Sequence, residues 1–331
     1  MKRALGALLA AAIAAAGGSA SAEPVKIRIG WANVSTHLTS IVAAAPKEIY
    51  KHWGDSYMVE PVFIAGSGPA LTALAANEIQ LGGMSSQALV LAVTEAKLDL
   101  KVIGQQVSGG VGGYATTEYW ARDDIKRIED LKGKVVGVNA RGSTSDAAVK
   151  ATLIKHCLKD GQDYQIVEMR FSALLPALES KRVDVAILLQ PFNLKAAKIP
   201  GMHVLFTYQD SLGEVETVVW MGKADWIAKN RAALVDFLED NIRLRAWLYD
   251  PKNHEAAVKL LAGVAKSPVE DWDEWAFTKK DNYRDPHALV NVARYQRNID
   301  DLHKLGILPT SLDVSKYVDN SLAEEAAKRI R

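Results

Sequence analysis

Cysteine is almost missing from this chain: Cys157 is the single one in 331 residues. An internal disulfide is therefore excluded, and so are zinc sites built on paired cysteines. Cys157 stands beside Leu153, Ile154 and Leu158 in a predicted helix, which reads as a buried, inert thiol. No HExxH motif occurs either, and no residue set at metal-site spacing accompanies His37. Charge of one sign is not in excess: 40 Lys and Arg stand against 39 Asp and Glu, interspersed along the chain. That balance argues against nucleic acid or an anionic membrane surface as the main partner. Without disulfides the fold depends on its hydrophobic core, which 49% hydrophobic residues in a chain of this length can build.

Long apolar runs are missing too, except at the start. Lys2 and Arg3 precede an apolar stretch from Ala4 to Ala16, followed by Ala20-Ser21-Ala22. This is the pattern of a secretory signal peptide over residues 1–22, cut after Ala22. The stretch is shorter than the roughly 20 residues of a membrane span. Its removal takes two positive charges from a formal net charge of +1.

What the chain does have is a repeated strand, small-residue turn and helix. The first is Val62-Phe63-Ile64-Ala65-Gly66-Ser67-Gly68-Pro69, opening a helix near Ala70. The second is Ile79-Gln80-Leu81-Gly82-Gly83-Met84-Ser85-Ser86, opening one near Gln87. The third is Val135-Val136-Gly137-Val138-Asn139-Ala140-Arg141-Gly142-Ser143-Thr144. Each turn sets unpaired backbone N–H groups and hydroxyls at a positive helix end, which suits anionic oxygen.

Strand and helix alternate from Val25 to Val107, then again from Lys134 to Tyr208, with a Gly-rich break at Gly109–Gly113 between them. Repeated βα units imply two α/β lobes with mainly parallel sheets flanked by helices. The expected division is 23–118 with 215–331 as lobe one and 119–214 as lobe two. Ligands in such sheets sit beyond the carboxyl ends of strands, so the openings face one another across a cleft. The C-terminal third reads as helical: one helix from Ala224 to Tyr249, another started by Ser267-Pro268-Val269-Glu270, and a third from His287 to Leu305.

Several stretches resemble the substrate-binding proteins of sulfonate, taurine and nitrate ABC importers, a family that also includes binders of pyrimidine precursors of thiamine. They are Ala65-Gly66-Ser67-Gly68-Pro69-Ala70, Ala75-Ala76-Asn77-Glu78-Ile79-Gln80-Leu81-Gly82, Glu129-Asp130-Leu131-Lys132-Gly133-Lys134, Arg141-Gly142-Ser143-Thr144 and Leu305-Gly306-Ile307-Leu308-Pro309. The resemblance covers the chain after the leader. It implies a type II periplasmic binding protein: a monomer in the periplasm, with no cofactor and no catalytic group, closing on a small organic anion for a membrane permease and its ATPase. Where many relatives carry an acidic residue before a proline, this chain has Gln190 before Pro191. A neutral amide cannot pair with a ligand ammonium, which favours a ligand without a cation, although Glu216 or Glu214 could restore that charge.

Candidate ligand contacts are Gly66, Ser67, Ser85, Ser86, Ser143 and Thr144 from the openings, and Arg141 by its planar fork. Asn33, Thr36 and His37 follow the first strand, Gln190 and Phe192 follow the strand ending near Leu189, and Tyr114 follows the Gly run. Ser143 with Asp146 also fits a helix capping box. Trp31, Trp120 and Trp220 are candidates for an apolar wall. Nitrate, bicarbonate or a pyrimidine precursor are alternative ligands. An exported serine hydrolase is the alternative class, since Gly83-Met84-Ser85-Ser86-Gln87 begins like a nucleophile elbow but has Gln87 where the second Gly belongs.

Overall fold

The computed structural model describes residues 23–330. The segment read as a signal peptide, 1–22, lies outside the described residues. The first sheet holds β1 (Val25–Trp31), β2 (Tyr57–Phe63), β3 (Leu81–Met84), β4 (Leu100–Gly109) and β10 (Val215–Lys223), in the order β2-β1-β3-β10-β4. The second holds β5 (Glu118–Arg122), β6 (Lys134–Val138), β7 (Tyr164–Glu168), β8 (Val185–Leu188) and β9 (Met202–Thr207), in the order β7-β6-β8-β5-β9. The two orders are the same pattern, and the strand that runs antiparallel to both neighbours is β10 in one and β5 in the other. These are the strands on which the chain enters the second sheet and returns to the first. The architecture is a two-lobed α/β fold with a hydrophobic core around each sheet.

Helices α1 (Thr39–Ala44), α2 (Ser67–Ala75) and α3 (Ala88–Thr94) follow β1, β2 and β3. In the second sheet, α4 (Thr144–Lys155), α5 (Phe171–Glu179), α6 (Phe192–Ala196) and α7 (Tyr208–Leu212) follow β6 to β9. Short strands leading directly into helices leave each strand's carboxyl end facing the space between the sheets. The remaining helices, α8 (Ala224–Lys229), α9 (Arg231–Tyr249), α10 (His254–Ala265), α11 (Val292–Lys304) and α12 (Ser321–Lys328), form the C-terminal third. None of the described helices is long and apolar enough to cross a membrane.

Four expectations need correction. The helix expected from Ala224 to Tyr249 breaks at Asn230, whose backbone leaves the helical region and whose amide donates to the Trp226 carbonyl (2.8 Å). Ser267 starts no α-helix, only a 3₁₀ turn over Val269–Asp271, because its hydroxyl accepts from the Trp272 indole (2.6 Å) instead of capping. The helix expected from His287 begins at Val292, where Asn291 caps it by accepting from the Arg294 N–H (2.9 Å). Cys157 lies past the end of α4, at φ 60°, and is exposed, not buried.

Candidate functional site

The three openings meet between the sheets and line one cavity of about 50 Å³. Gly66, Ser67, Gly83 and Ser85 come from the first sheet's side; Asn139, Ser143, Thr144 and Ser145 come from the second. The two sides touch. The Asn139 amide donates to the Ala65 carbonyl (3.2 Å), and the Ser85 hydroxyl donates to the Gly142 carbonyl (3.0 Å). A Cβ added at Gly66 would stand 2.4 Å from the Ala140 Cβ, so only glycine lets the sides come this close. Thr36, His37, Thr117, Tyr208 and Thr217 complete the polar lining, with Ala32, Phe171, Leu189 and Val218 as apolar wall. Among the described residues, no Lys, Arg, Asp or Glu lines it.

The hydrogen bonds determine what this lining can offer. Neither α2, which starts after Gly66, nor α4, which starts after Ser143, has a side chain capping its first turn. The capping box expected from Ser143 and Asp146 does not form. The Ser143 hydroxyl is turned back to the Ala140 carbonyl (2.6 Å) and Asn139 Oδ1 (3.0 Å). The Asp146 carboxylate accepts from the Gly142 N–H (3.0 Å) and the Lys150 ammonium (2.8 Å). Two helix starts, one from each side, thus keep open N–H groups beside the cavity, with the partial positive charge of a helix end.

Hydroxyl protons divide into those used and those open. Ser85 gives its proton to Gly142, and Thr144 gives its own to the Thr217 carbonyl (3.0 Å). Ser67 is different: its oxygen accepts from the Ser85 N–H (3.0 Å), which leaves its proton open. Tyr208 is buried at 3% exposure, and burial raises its phenol well above the usual range, so it stays protonated. Among the described residues, neither the Tyr208 nor the Thr117 hydroxyl has a hydrogen-bond partner. His37 is neutral, because burial lowers its pKa to about 4. Its Nε2 lies 3.2 Å from the Gly83 carbonyl and its Nδ1 2.9 Å from Thr36 Oγ1. A carbonyl only accepts, so Nε2 carries the proton and Nδ1 accepts from Thr36.

A second, wider chamber of about 300 Å³ adjoins the first. Ala32 and Phe171 line both. Trp31, Asn33, Phe63, Arg170, Gln190, Phe192, Lys195 and Trp272 are among its other walls.

The structure therefore brings Thr36, His37, Gly66, Ser67, Ser85, Ser143 and Thr144 to the inner cavity and Asn33, Gln190 and Phe192 to the outer one. It does not bring the other four candidates. Arg141 turns outward to Asp160 (2.7 Å), which raises its pKa further. Glu216 is buried against Arg294 (2.6 Å) and the Ser108 hydroxyl (2.8 Å). Ser86 is buried with its carbonyl held by the Tyr295 hydroxyl (2.7 Å). Tyr114 packs edge-on to Tyr283 (5.4 Å) under the Lys279 ammonium. Of the three tryptophans, Trp31 reaches the outer chamber, while Trp120 and Trp220 belong to the cores. Sequence reasoning missed Thr117, Ser145, Tyr208 and Thr217. Ser145 adjoins Thr144 and was open to discovery. Thr117 and Tyr208 meet only through β5–β9 pairing, by the Tyr208 N–H to the Thr117 carbonyl (2.9 Å), which no local motif announces.

A hydrolase reading finds no support in this geometry. The Ser85 proton goes to a carbonyl, and the His37 nitrogens are engaged with Gly83 and Thr36, so His37 does not serve Ser85 as a base. His52, Asp236 and Glu239 group donors of the metal-binding type. Their charge is already met by Arg329 on Asp236 (2.8 Å) and Arg243 on Glu239 (2.8 Å).

The model of the NMT1-like family matches residues 20–262. YtlA of Bacillus subtilis (strain 168), provisionally named a binding protein, is 20% identical over 309 residues, 91% of this chain and 89% of that one. The alkanesulfonate-binding protein SsuA from Xanthomonas axonopodis pv. citri, solved bound to MOPS, superposes with a TM-score of 0.70 at 18% identity, covering 90% of this chain and 99% of that one. The periplasmic nitrate-binding protein NrtA from Synechocystis PCC 6803 gives 0.73 at 17% identity, covering 93% and 90%. At these identities the likeness is one of fold, the fold of the periplasmic binding proteins.

Proposed function

The chain belongs to the NMT1-like family, and on that premise we propose that it is an exported, periplasmic solute-binding protein that closes on a small organic anion. The observation that carries this reading is the inner cavity. Two uncapped helix starts and the open protons of Ser67, Tyr208 and Thr117 face a space without a charged side chain. Donors that border the cavity with no protein acceptor are available to a ligand. A carboxylate or sulfonate head is an acceptor-only group that satisfies several of them at once. Helix ends supply the positive potential that no Lys or Arg supplies here.

The two lobes, 23–118 with 215–331 and 119–214, act as jaws. Ligand contacts made from both sides favour the closed state over an open one. The closed form is what a permease and its ATPase would receive. No catalytic role is assigned, and the relatives' descriptions as binding proteins support that. Gln190, whose amide donates to the Lys280 carbonyl (2.9 Å), places no carboxylate for a ligand ammonium, so a ligand without a cation is preferred to taurine.

Thermal unfolding of the purified protein with nitrate, bicarbonate, acetate, methanesulfonate, taurine, benzoate, benzenesulfonate and a neutral pyrimidine tests this. An organic anion at about 100 times its Kd stabilises the fold by about 2.7 kcal/mol and raises Tm accordingly. If no anion shifts Tm, or only the neutral pyrimidine does, the reading fails.

A further inference from the structure

The two chambers differ enough in size to assign the two ends of the ligand. The inner one, at about 50 Å³, holds a few water-sized groups, as many as an acidic head contains. It cannot take a ring, since an apolar cavity that binds benzene measures about 150 Å³. The outer chamber offers about 300 Å³. Phe171 and Ala32 line both, so one molecule can extend from the first into the second.

The outer walls are flat. Parallel pairing of β1 with β2 sets Trp31 opposite Phe63, with the rings edge to face at 5.5 Å. The Arg170 guanidinium lies 5.0 Å over the Phe63 ring. Among the described residues no carboxylate pairs with Arg170, whereas the neighbouring Lys195 is tied to Asp271 (2.7 Å). Phe63 is 45% exposed, a large aromatic side chain left partly open beside a polar cleft. Its open surface favours a cover that stacks, because aromatic faces and guanidinium planes prefer one another to an alkyl chain of equal area.

We infer that the ligand is an aromatic acid, with its carboxylate or sulfonate in the inner chamber and its aryl ring in the outer one against Phe171, Phe63 and Arg170. This rests on the anion-binding reading above and adds the nature of the tail. The alkyl alternative would gain burial but no stacking.

Isothermal titration of the purified protein with benzenesulfonate, cyclohexanesulfonate and methanesulfonate at one salt concentration is the test. Benzenesulfonate should bind about 100-fold tighter than methanesulfonate, from ring burial, and about threefold or more tighter than cyclohexanesulfonate, from stacking. In Arg170→Gln and Phe63→Ala, both at exposed positions, the benzenesulfonate-to-methanesulfonate affinity ratio should fall about fivefold. Equal affinity for all three sulfonates overturns the tail assignment and leaves the anion reading standing. Equal affinity for the aryl and cyclohexyl acids, or unchanged ratios in both variants, overturns the aromatic assignment. Failure of all three sulfonates, and of benzoate and nitrate, to bind overturns the anion reading itself.

Discussion

Two buried polar regions lie close together in this molecule and are built in opposite ways. Behind the cavity, Arg284 and Asp281 form an ion pair at 3.0 Å, each side chain 2% exposed. Arg284 also donates to the Tyr249 hydroxyl (3.1 Å) and the Ser35 carbonyl. Arg245, fully buried, donates to Asn241 Oδ1 (2.8 Å), the Asp285 carbonyl and both oxygens of Gln105. Desolvation lowers its pKa only to about 10, so it stays charged at neutral pH. This brace carries formal charge and uses most of its donors within the protein. The inner cavity carries no formal charge and leaves donors open. Burial alone therefore does not mark a site; donors left open toward a cavity do. The two are linked, because Ser35, whose carbonyl Arg284 holds, adjoins Thr36 of the cavity lining.

Breaking the brace should have the largest effect. Arg284→Met leaves the Asp281 carboxylate buried without its partner, which costs about 3–5 kcal/mol. Urea unfolding reads this directly, and a loss below about 1 kcal/mol would mean the pair is not a brace. The same comparison predicts where pH acts. His37 is the cavity side chain whose charge changes as pH falls through the acid range. Its folded pKa of about 4 lies below its ordinary 6.5, so the unfolded chain binds the proton first as pH falls. Its contribution is complete above about pH 6.5 and is lost between there and about pH 4, by roughly 3 kcal/mol. The difference in unfolding free energy between wild type and His37→Gln should change over that window and be flat above it.

Changes to the cavity itself should act on binding and spare stability. Gly66→Ala adds a Cβ 2.4 Å from the Ala140 Cβ. Gly66 has φ 170°, extended backbone that alanine also adopts, so the cost falls on closure. Affinity for the best anion should drop about 100-fold by titration calorimetry, with unfolding free energy within about 0.5 kcal/mol of wild type. Smaller still, Ser67→Ala and Tyr208→Phe each remove one open proton and should weaken that anion about tenfold. Thr144→Ser, which keeps the bond to Thr217, should leave it within about twofold. If Tyr208→Phe binds as wild type does, the open phenol is not a ligand contact and the contrast with the brace weakens.

Much of this was legible in the sequence because the openings are local. A strand, a small-residue turn and a helix start within ten residues place Ser67, Ser85, Ser143 and Thr144 whatever the rest of the chain does. The alternating strands and helices likewise carried the two-lobed α/β fold. What failed was decided at long range. Arg141 looked available for a ligand, but Asp160 takes its guanidinium. Glu216 looked available too, but Arg294, 78 residues on, takes its carboxylate. Thr217 reaches the cavity because β10 returns through the first sheet between β3 and β4, and Tyr208 because β9 pairs with β5. Even a local pattern can mislead when a distant partner competes: the indole of Trp272 takes the hydroxyl of Ser267 that was expected to cap a helix.

If the proposed function holds, uncapped helix starts, and not a charged side chain, hold the acidic head of the ligand. A crystal structure of the protein with benzenesulfonate tests it most directly. The sulfonate is expected in the inner chamber, with oxygens at about 3 Å from first-turn N–H groups of α4 and from the Ser67 and Tyr208 hydroxyls. A sulfonate held instead by Arg170 or Lys195 in the outer chamber, with the inner one unoccupied by it, would contradict it.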